Sequence, residues 1–499
     1  MPPLTSTLGV MHVVVVGGGV SGLGAALSLS RSGHRVTVVE RDVTTATVPS
    51  HPSIAFNDWE RQGAVQAFHS HAFLARLRNL LRDRAPDVLA SLLDAGAMEM
   101  AVAEIMPATI VDRSAVAGDE NLTMLACRRI TFEWNLRRAV AATPDVTWHS
   151  GSGVVCLRTR EGTVPHVLGV TLDDGTTIDA DLVVDASGRR SPILGWLADV
   201  GVAAPTEEIH ECGILYFSRF YAFREGAEPP PPAAANGDLG YLKFGVFRGD
   251  NRTFSVTMAS YTDDRPMRAL SSADGFEAAA RSLPGTAPWI ERDRCTPITD
   301  VTSMAKLRNR HRRFVVDGRP IVTGLSVLGD AALCTNPMYG RGCTTGSLHA
   351  WLHTDLVNNA CVGGSFNADT AATLALALDD STMGELVPFY KSSVRQDHDS
   401  MQARLVALGR AQTDDASTTM RSIVREGLLP AMRTDPIVFR AFMKNFNLLE
   451  SPDALMADPD VVGRVMATWQ ARDQRPPEPS LGPDRDEMLS VIHAAIAAA

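Results

Sequence analysis

Continuous apolar runs and a helical stretch of small residues alternate over the first forty positions of the chain. HVVVV at 12–16 and VTVV at 36–39 are short, β-branched runs, which is typical of strands buried on both faces of a parallel sheet. Between them, residues 20–32 have the Ala- and Leu-rich composition of a helix, and Gly33 can end it. The pattern predicts a strand, a helix and a second strand that extend together from His12 to Arg41.

The turn between this strand and this helix reads G-x-G-x-x-G, with glycines at Gly17, Gly19 and Gly22. In such a unit Gly17 allows the tight turn, Gly19 lets a pyrophosphate approach the backbone, and Gly22 lets the helix pack against the strand. The N-terminus of the helix then offers free N–H groups to the pyrophosphate. Glu40, eighteen positions after Gly22, can accept hydrogen bonds from a ribose and would repel a 2′-phosphate. We therefore predict a site for adenosine diphosphate, a group that FAD and NAD share.

Along the rest of the chain, the spacing of apolar residues is typical first of helices, then of strands, and then of helices again. Apolar residues three and four apart predict helices within 72–97 and over 127–140, and the second of these is expected to be amphipathic, with Phe132 and Leu136 on its apolar side. Strands and turns alternate over 147–186, and aromatic alternation at 212–262 predicts a separate antiparallel sheet. From Asp369 the chain is mostly helical, with a Pro-rich linker at 475–483.

Composition limits the classes of protein to which this chain can belong. Its 499 residues are 45% hydrophobic, which allows a sizeable core, and no apolar run reaches the roughly 18 residues of a membrane span. The net charge of −10 argues against a nucleic-acid partner. Seven cysteines without paired spacing indicate reduced thiols, and the first residues lack the basic segment of a signal peptide. We expect a cytoplasmic protein without a membrane span.

Two histidines, His69 and His71, would share a face if they lay on a strand, and they are considered as a metal pair. A metal site requires a third ligand at a useful spacing, and the neighbouring sequence offers none. A role in a loop or in the core is therefore favoured, and no metal is expected.

Three motifs follow one another in a fixed order along the chain. They are the glycine turn with Glu40, the sequence RRITFEWNLRR at 128–138, and Gly329-Asp330 followed by Pro337, Gly340 and Gly342. This order resembles the FAD-dependent monooxygenases of the para-hydroxybenzoate hydroxylase type, with a further likeness to bacterial secondary-metabolite epoxidases and hydroxylases. The resemblance implies an α/β fold with a Rossmann-type FAD-binding domain (9–190 and 305–365), an inserted antiparallel β-sheet substrate domain (191–304) and a helical C-terminal region (366–499).

The resemblance also implies roles for individual residues. Arg129 would reach the pyrophosphate or ribityl chain of FAD, although Arg128 fits the helical register equally well. Asp330 would accept hydrogen bonds from ribityl hydroxyls, Pro337 would shape the wall beside the isoalloxazine ring, and the helix after Gly342 would point its N-terminus at the pyrimidine edge. The residues expected to bind FAD are Gly17, Gly19, Val20, Ser21, Gly22, Glu40, Arg41, Arg129, Asp185, Gly188, Gly329, Asp330, Pro337, Gly340 and Gly342.

The chain departs from the family pattern at two places. DASGRRS at 185–191 lacks the Asp-Gly pair that helps aromatic hydroxylases contact NADPH, and no second G-x-G-x-x-G stands in a strand–helix context. Electrons are therefore expected from NAD(P)H either directly or through a partner flavin reductase. The chain also lacks the W-x-W-x-I-P motif of flavin halogenases, and its first lysine is Lys243. A flavin halogenase is accordingly disfavoured.

By this resemblance the protein is a monooxygenase that inserts one oxygen atom from O₂ into an apolar unsaturated or aromatic small molecule. The reaction would be hydroxylation or epoxidation through a flavin C4a-hydroperoxide, and no catalytic acid or base is predicted. An apolar lid over the flavin is expected from the aromatic residues Tyr216, Phe217, Phe220, Tyr221, Phe244 and Phe247. The alternative is an FAD-dependent C=C reductase of the geranylgeranyl reductase type. A non-catalytic FAD-binding protein and an NAD-dependent enzyme are less favoured.

Overall fold

A parallel sheet lies at the centre of the computed structural model, which describes residues 9–43, 47–230, 235–362, 366–412, 415–476 and 480–499. The order of its five strands is Leu325–Val327, Leu182–Asp185, His12–Val16, Arg35–Glu40 and Val146–Ser150. Alternate side chains of the middle strand face opposite ways, so Val13 and Val15 join one apolar cluster and Val14 and Val16 join another. A strand buried on both faces requires the continuous valine run seen in the sequence.

The two faces of this sheet are covered by different elements. One face packs against the helices Val20–Arg31, Ala75–Arg84, Pro86–Asp94, Arg129–Ala141 and Gly342–Ala360. The other face packs against the helix Ile193–Asp199 and a three-stranded antiparallel sheet, Val154–Arg160, His166–Leu172 and Thr177–Asp179. The predicted hairpin turn at 173–175 joins the last two of these strands.

The helix Arg129–Ala141 is not amphipathic, contrary to the prediction. All residues from Arg129 to Arg137 are buried, because the helix lies between neighbouring elements rather than at the surface. Its charged side chains find ionic partners inside the protein, as in the pair formed by Arg61 and Glu133 at 2.6 Å. The polar face that the sequence suggested is therefore an internal network of ions.

A second, antiparallel sheet follows in the chain and confirms the prediction for residues 212–262. Its strands are ordered Asn236–Asp238, Leu242–Arg248, Thr253–Tyr261, Ile214–Phe223 and Cys295–Pro297, and Thr302–Met304 also pairs with Ile214–Phe223. The helix Ala273–Ser282 and the C-terminal helix Arg485–Ala498 pack on one face of it through Phe276, Met488 and Ile492. The end of the chain thus contributes to the core of this sheet.

Smaller sheets connect these parts. One contains the strands Thr206–Glu211, Arg308–Arg313 and Leu333–Cys334, and two strand pairs are formed by Met98–Met100 with Met124–Ala126 and by Val315–Val316 with Arg319–Pro320. The short helix Val102–Ile105 lies in sequence between Met98–Met100 and Met124–Ala126, and the short helix Pro52–Asp58 precedes both strands.

The C-terminal region is helical, as predicted. Its helices before the last one are Ala368–Glu385, Val387–Ala407, Asp415–Ser422, Leu429–Thr434, Pro436–Phe446, Ala454–Ala457 and Pro459–Gln470, with a π-helical segment at Ile423–Leu428. The predicted linker at 475–483 lies partly outside the described residues.

The predicted fold class is confirmed: the protein is α/β, with a parallel sheet, antiparallel sheets and a helical C-terminal region. The division into domains at 190, 304 and 365 remains a prediction. Within the residues that the structure describes, none of the helices combines the length and the apolar composition needed to cross a bilayer.

Candidate functional site

The three glycines of the turn after the first strand differ in what surrounds them. Gly17 has φ +104°, and a Cβ atom there would lie 2.6 Å from the Ala186 carbonyl oxygen. A Cβ at Gly22 would lie 1.8 Å from the Gly17 carbonyl oxygen, so strand and helix could not pack as they do. Gly19 differs, because the nearest atom to its Cβ position is Arg129 Nη2, at 3.9 Å. Gly19 therefore faces open space, as a backbone that admits a ligand must.

Glu40 ends the second strand beside this turn. Its Oε2 accepts a hydrogen bond from the Gly18 N–H at 2.7 Å, and its Oε1 accepts one from the Asp42 N–H at 2.9 Å. Arg61, which sequence reasoning did not single out, lies 3.5 Å from Glu40 and 2.5 Å from Asp42. Arg61 belongs to an irregular stretch without periodicity, so no local signal indicated that it would be buried among three carboxylates.

The structure distinguishes the two arginines that fit the helical register. Arg128 is buried against Asp250, with Nη2 and Oδ2 2.6 Å apart, and does not line the cavity. Arg129 does line the cavity, with Nη2 3.4 Å from Glu133 Oε2 and with its buried Nε lacking any hydrogen-bond partner among the described residues. A buried guanidinium with an unused donor beside Gly19 fits a phosphate ligand.

The segment from Gly329 to Gly342 closes against the glycine turn. Gly329 has φ +57°, and a Cβ there would lie 2.2 Å from Ser21 Oγ. Asp330 lines the cavity opposite the start of the helix Gly342–Ala360, with its Oδ1 4.0 Å from the Cβ position of Gly342. Gly340 is left-handed at φ +63° and faces Ala72, whose Cβ is 3.0 Å from the Cβ position of Gly340. Motifs more than 300 residues apart in sequence thus meet at one cavity.

A hydrogen-bonded network on the C-terminal region holds this segment. The Asn336 side chain accepts from the Met338 N–H at 3.0 Å and from the Tyr216 hydroxyl at 3.1 Å. Asp397, on the helix Val387–Ala407, accepts from Asn336 Nδ2 at 2.7 Å, from the Tyr339 hydroxyl at 2.7 Å and from Asn309 Nδ2 at 2.6 Å. Asp397 was missed by sequence reasoning because its partners lie 58 to 88 positions away.

Most of the predicted cofactor residues line one cavity of about 2520 Å³. This volume is more than twice the upper end of the roughly 300–1,000 Å³ typical of small-molecule pockets. The predicted residues that line it are Gly17, Gly19, Val20, Ser21, Glu40, Arg41, Arg129, Gly188, Asp330, Pro337, Gly340 and Gly342.

Asp185 does not line the cavity, so the structure does not bring it together with the other residues predicted to bind the cofactor. The side chain is fully buried and accepts hydrogen bonds from the Ser187 N–H at 2.9 Å and from the Ser191 hydroxyl at 2.5 Å. Burial raises the pKa of Asp185. Gly22 and Gly329 do not line the cavity either. The absence of a side chain allows Gly22 to pack against Gly17 and Gly329 to pack against Ser21. These three residues shape the site from outside the cavity.

The aromatic residues of the antiparallel sheet divide into two groups. Tyr216, Phe244 and Phe247 line the cavity, whereas Phe217 and Tyr221 do not. Phe217, Tyr221 and also Phe244 belong to the sheet's own core. Phe220 likewise belongs to a separate apolar cluster. Tyr216 and Phe247 point to one face of the sheet, whereas Phe244 points to the opposite face, together with Phe217 and Tyr221. The aromatic side chains that line the cavity therefore do not share one face of the sheet.

His69, which is buried, and His71, which is half-buried, both line the cavity. Burial, together with the nearby charge of Arg189, lowers the pKa of His69 to about 4. Burial and the charge of Arg129 lower the pKa of His71 to about 3. Nδ1 of His69 lies 3.0 Å from the Ser218 hydroxyl, and Nδ1 of His71 lies 2.9 Å from the His69 carbonyl oxygen. In the part of the chain that the structure describes, no three His, Cys, Asp or Glu side chains gather as a metal site.

Comparisons with known proteins agree with this geometry. Residues 12–52 match the family model described as FAD dependent oxidoreductase. Protein Rv3254 of Mycobacterium tuberculosis is 28% identical over 474 residues, which cover 91% of this chain and 93% of that protein.

Two solved structures share the fold. PqsL of Pseudomonas aeruginosa, described as a probable FAD-dependent monooxygenase, has a TM-score of 0.55 at 15% identity and covers 80% of this chain and 100% of its own. The p-nitrophenol 4-monooxygenase PnpA of Pseudomonas putida has a TM-score of 0.57 at 16% identity. The alignment covers 89% of this chain and 99% of PnpA. The resemblance to FAD-dependent monooxygenases is confirmed at the level of the fold, and the match over residues 12–52 supports an FAD-dependent oxidoreductase.

Proposed function

We propose that the protein is an FAD-dependent monooxygenase that inserts one oxygen atom from O₂ into an apolar unsaturated or aromatic small molecule. The observation that carries the proposal is the continuity of the cavity. It runs from the glycine turn, past Arg129 and the Pro337–Tyr339 turn, to an apolar space lined by Tyr216 and Phe247. One end suits a dinucleotide and the other suits an apolar substrate.

The residues at the first end fit FAD. Gly19 leaves the space that a pyrophosphate needs, and the N-terminus of the helix Val20–Arg31 stabilises negative charge there. We propose that Arg129 donates to the pyrophosphate and that Asp330 accepts from the ribityl hydroxyls. The helix that begins at Gly342 has its N-terminus at the cavity and would stabilise charge on the ring system.

The protein's own contribution to the reaction is binding, orientation and exclusion of water. Bound and reduced FAD supplies the chemistry of oxygen activation. The apolar side chains at the far end keep water away from the reacting atoms, which protects an activated oxygen from loss as hydrogen peroxide. We assign no catalytic acid or base: with pKa values lowered to about 4 and about 3, His69 and His71 carry no proton to donate and are weak bases.

We propose further that electrons come from NAD(P)H, either directly or through a partner flavin reductase. The segment at 185–191 supports the second route, because its carboxylate at Asp185 is turned inward to Ser187 and Ser191. A buried carboxylate cannot contact a second nucleotide at the surface.

Oxygen uptake by the FAD-loaded protein tests the proposal. NAD(P)H is supplied with and without an added flavin reductase, and dissolved oxygen and hydrogen peroxide are followed together. Oxygen consumption with peroxide leakage in the absence of substrate is expected. Turnover of an isoprenoid alkene under anaerobic conditions, without any reaction of the reduced protein with oxygen, would contradict the proposal and favour a C=C reductase.

A further inference from the structure

We infer that the part of the cavity beside the C-terminal region is a subsite for an elongated apolar molecule that ends in an oxyanion, such as a carboxylate or a phosphate. This subsite is built by residues 418–446 of the C-terminal region together with residues 100–125. The inference rests on the proposed function, for which it names the chemical class of the substrate.

The apolar half of the subsite comes from the helix Pro436–Phe446. Phe439, Phe442, Met443 and Phe446 line the cavity at the spacing i, i+3, i+4 and i+7, so one face of this helix is turned to the cavity. Methionines at 100, 106, 124 and 432 line the same space. Flexible thioether and aromatic side chains adapt to an unbranched or polyunsaturated chain better than to a rigid polar ligand.

This apolar space continues directly from the proposed flavin end. Ala72 faces Gly340, and it also packs against the cluster that contains Met124, Phe439 and Met443. A chain lying in the space can therefore bring one of its carbons close to the turn that follows Pro337.

The charged half of the subsite lies on the helical segment that precedes the helix Pro436–Phe446 in sequence. Arg421 and Arg425 line the cavity, and neither has an ion-pair or hydrogen-bond partner among the residues that the structure describes. The neighbouring Glu426 does not neutralise them, because its Oε2 accepts from the Ser422 hydroxyl at 2.6 Å and lies 3.8 Å from Arg472. Two arginines that line the same cavity as these apolar side chains, without such a partner among the described residues, are complementary to an oxyanion.

The local backbone supports a binding role for these arginines. Ile423–Leu428 is a π-helix, a conformation that is rare and frequently found at functional sites. Arg425 and Met432, which are seven positions apart in sequence, both line the cavity. The charged group of the ligand would bind at the arginines, with its chain directed towards the apolar side chains.

Calorimetric titration of the full-length, FAD-loaded protein tests the subsite. The probes are oleate, oleyl phosphate and oleyl alcohol, which share one unsaturated chain and differ in their end group. The double variant Arg421→Gln/Arg425→Gln is expected to bind oleate or oleyl phosphate about tenfold more weakly, which corresponds to about 1.4 kcal/mol, and to bind the alcohol unchanged. The anion with the larger loss identifies the preferred end group. The matched control, Arg319→Gln, removes an exposed arginine that does not line the cavity.

A second variant tests the apolar half independently of charge. Phe442→Ala is expected to weaken binding of all three probes, because each would lose the same contact. Equal affinity of the double variant and the native protein for both anions, or the absence of an effect of Phe442→Ala, would overturn the inference. The FAD content is measured by absorbance in every sample, so failure of the proposed function and failure of the subsite give different results.

Discussion

Replacement of Asp397 by alanine tests whether the C-terminal region holds the segment that we assign to the flavin. Its carboxylate accepts hydrogen bonds from Asn309, Asn336 and Tyr339, at 2.6 to 2.7 Å. A hydrogen bond to a charged group contributes about 1.5–3 kcal/mol, but Asp397 is only half-buried and solvent screens part of this. We therefore expect the three bonds together to contribute about 3 kcal/mol to the free energy of unfolding.

The effect of Asp397→Ala should extend to the cofactor. Loss of the carboxylate frees the Asn336 amide, whose carbonyl side caps the turn Pro337–Tyr339. We expect a lower urea midpoint with an unchanged slope, together with weaker FAD binding in a fluorescence titration. The control is Asp453→Ala, which removes a carboxylate that is 83% exposed and paired only with Arg395. An Asp397→Ala protein with native stability and native FAD affinity would refute the reasoning.

Three further predictions concern other parts of the site and the core. Arg129→Met should weaken FAD binding by about tenfold or more, because a charge-assisted bond to phosphate contributes about 1.5–3 kcal/mol. Gly19→Ala should fold normally but bind FAD weakly, since its added methyl group points into the cavity and meets no protein atom within 3.9 Å. Burial lowers the pKa of His349 to about 4 and that of His353 to about 3, from an ordinary value of 6.5. Below pH 6.5 the unfolded chain therefore binds more protons than the folded protein. Each of the two histidines should lower the free energy of unfolding by about 2 kcal/mol at about pH 5.

Each of these predictions has a matched control. Arg138→Met removes an exposed arginine from the same helix as Arg129, and its FAD affinity should remain native. Gly463→Ala adds a methyl group in open space on a distant helix and should not affect FAD binding. His493→Gln alters an exposed histidine and should leave the acid-induced loss of stability unchanged, as measured by urea unfolding between about pH 7 and pH 5. A native FAD affinity of Arg129→Met or Gly19→Ala, or a stability independent of pH in this range, would contradict the corresponding prediction.

Local patterns were sufficient to predict the central unit of the fold. The strand His12–Val16, the helix after Gly19 and the strand that ends at Glu40 are specified by residues adjacent in sequence, and their predicted order is the observed one. The antiparallel sheet at 212–262 and the helical C-terminal region were predicted for the same reason.

Features that depend on distant partners could not be predicted. Spacing alone cannot separate Arg128 from Arg129, because the distinction depends on Asp250, more than a hundred residues away. The helix that carries them was expected to have an exposed polar face, and pairing of its charges with residues such as Arg61 allows that face to be buried. Asp185 was predicted to lie with the cofactor residues, but it is buried behind them, where its oxygens accept hydrogen bonds from local serines.

Titration of the purified protein with FAD tests the central claim most directly. The visible absorbance and the fluorescence of the flavin are followed during the titration, and the protein is then reduced and mixed with oxygenated buffer. We predict a saturable one-to-one complex that Gly19→Ala weakens, followed by reaction of the reduced flavin with oxygen. A colourless protein that does not bind added FAD would contradict the account.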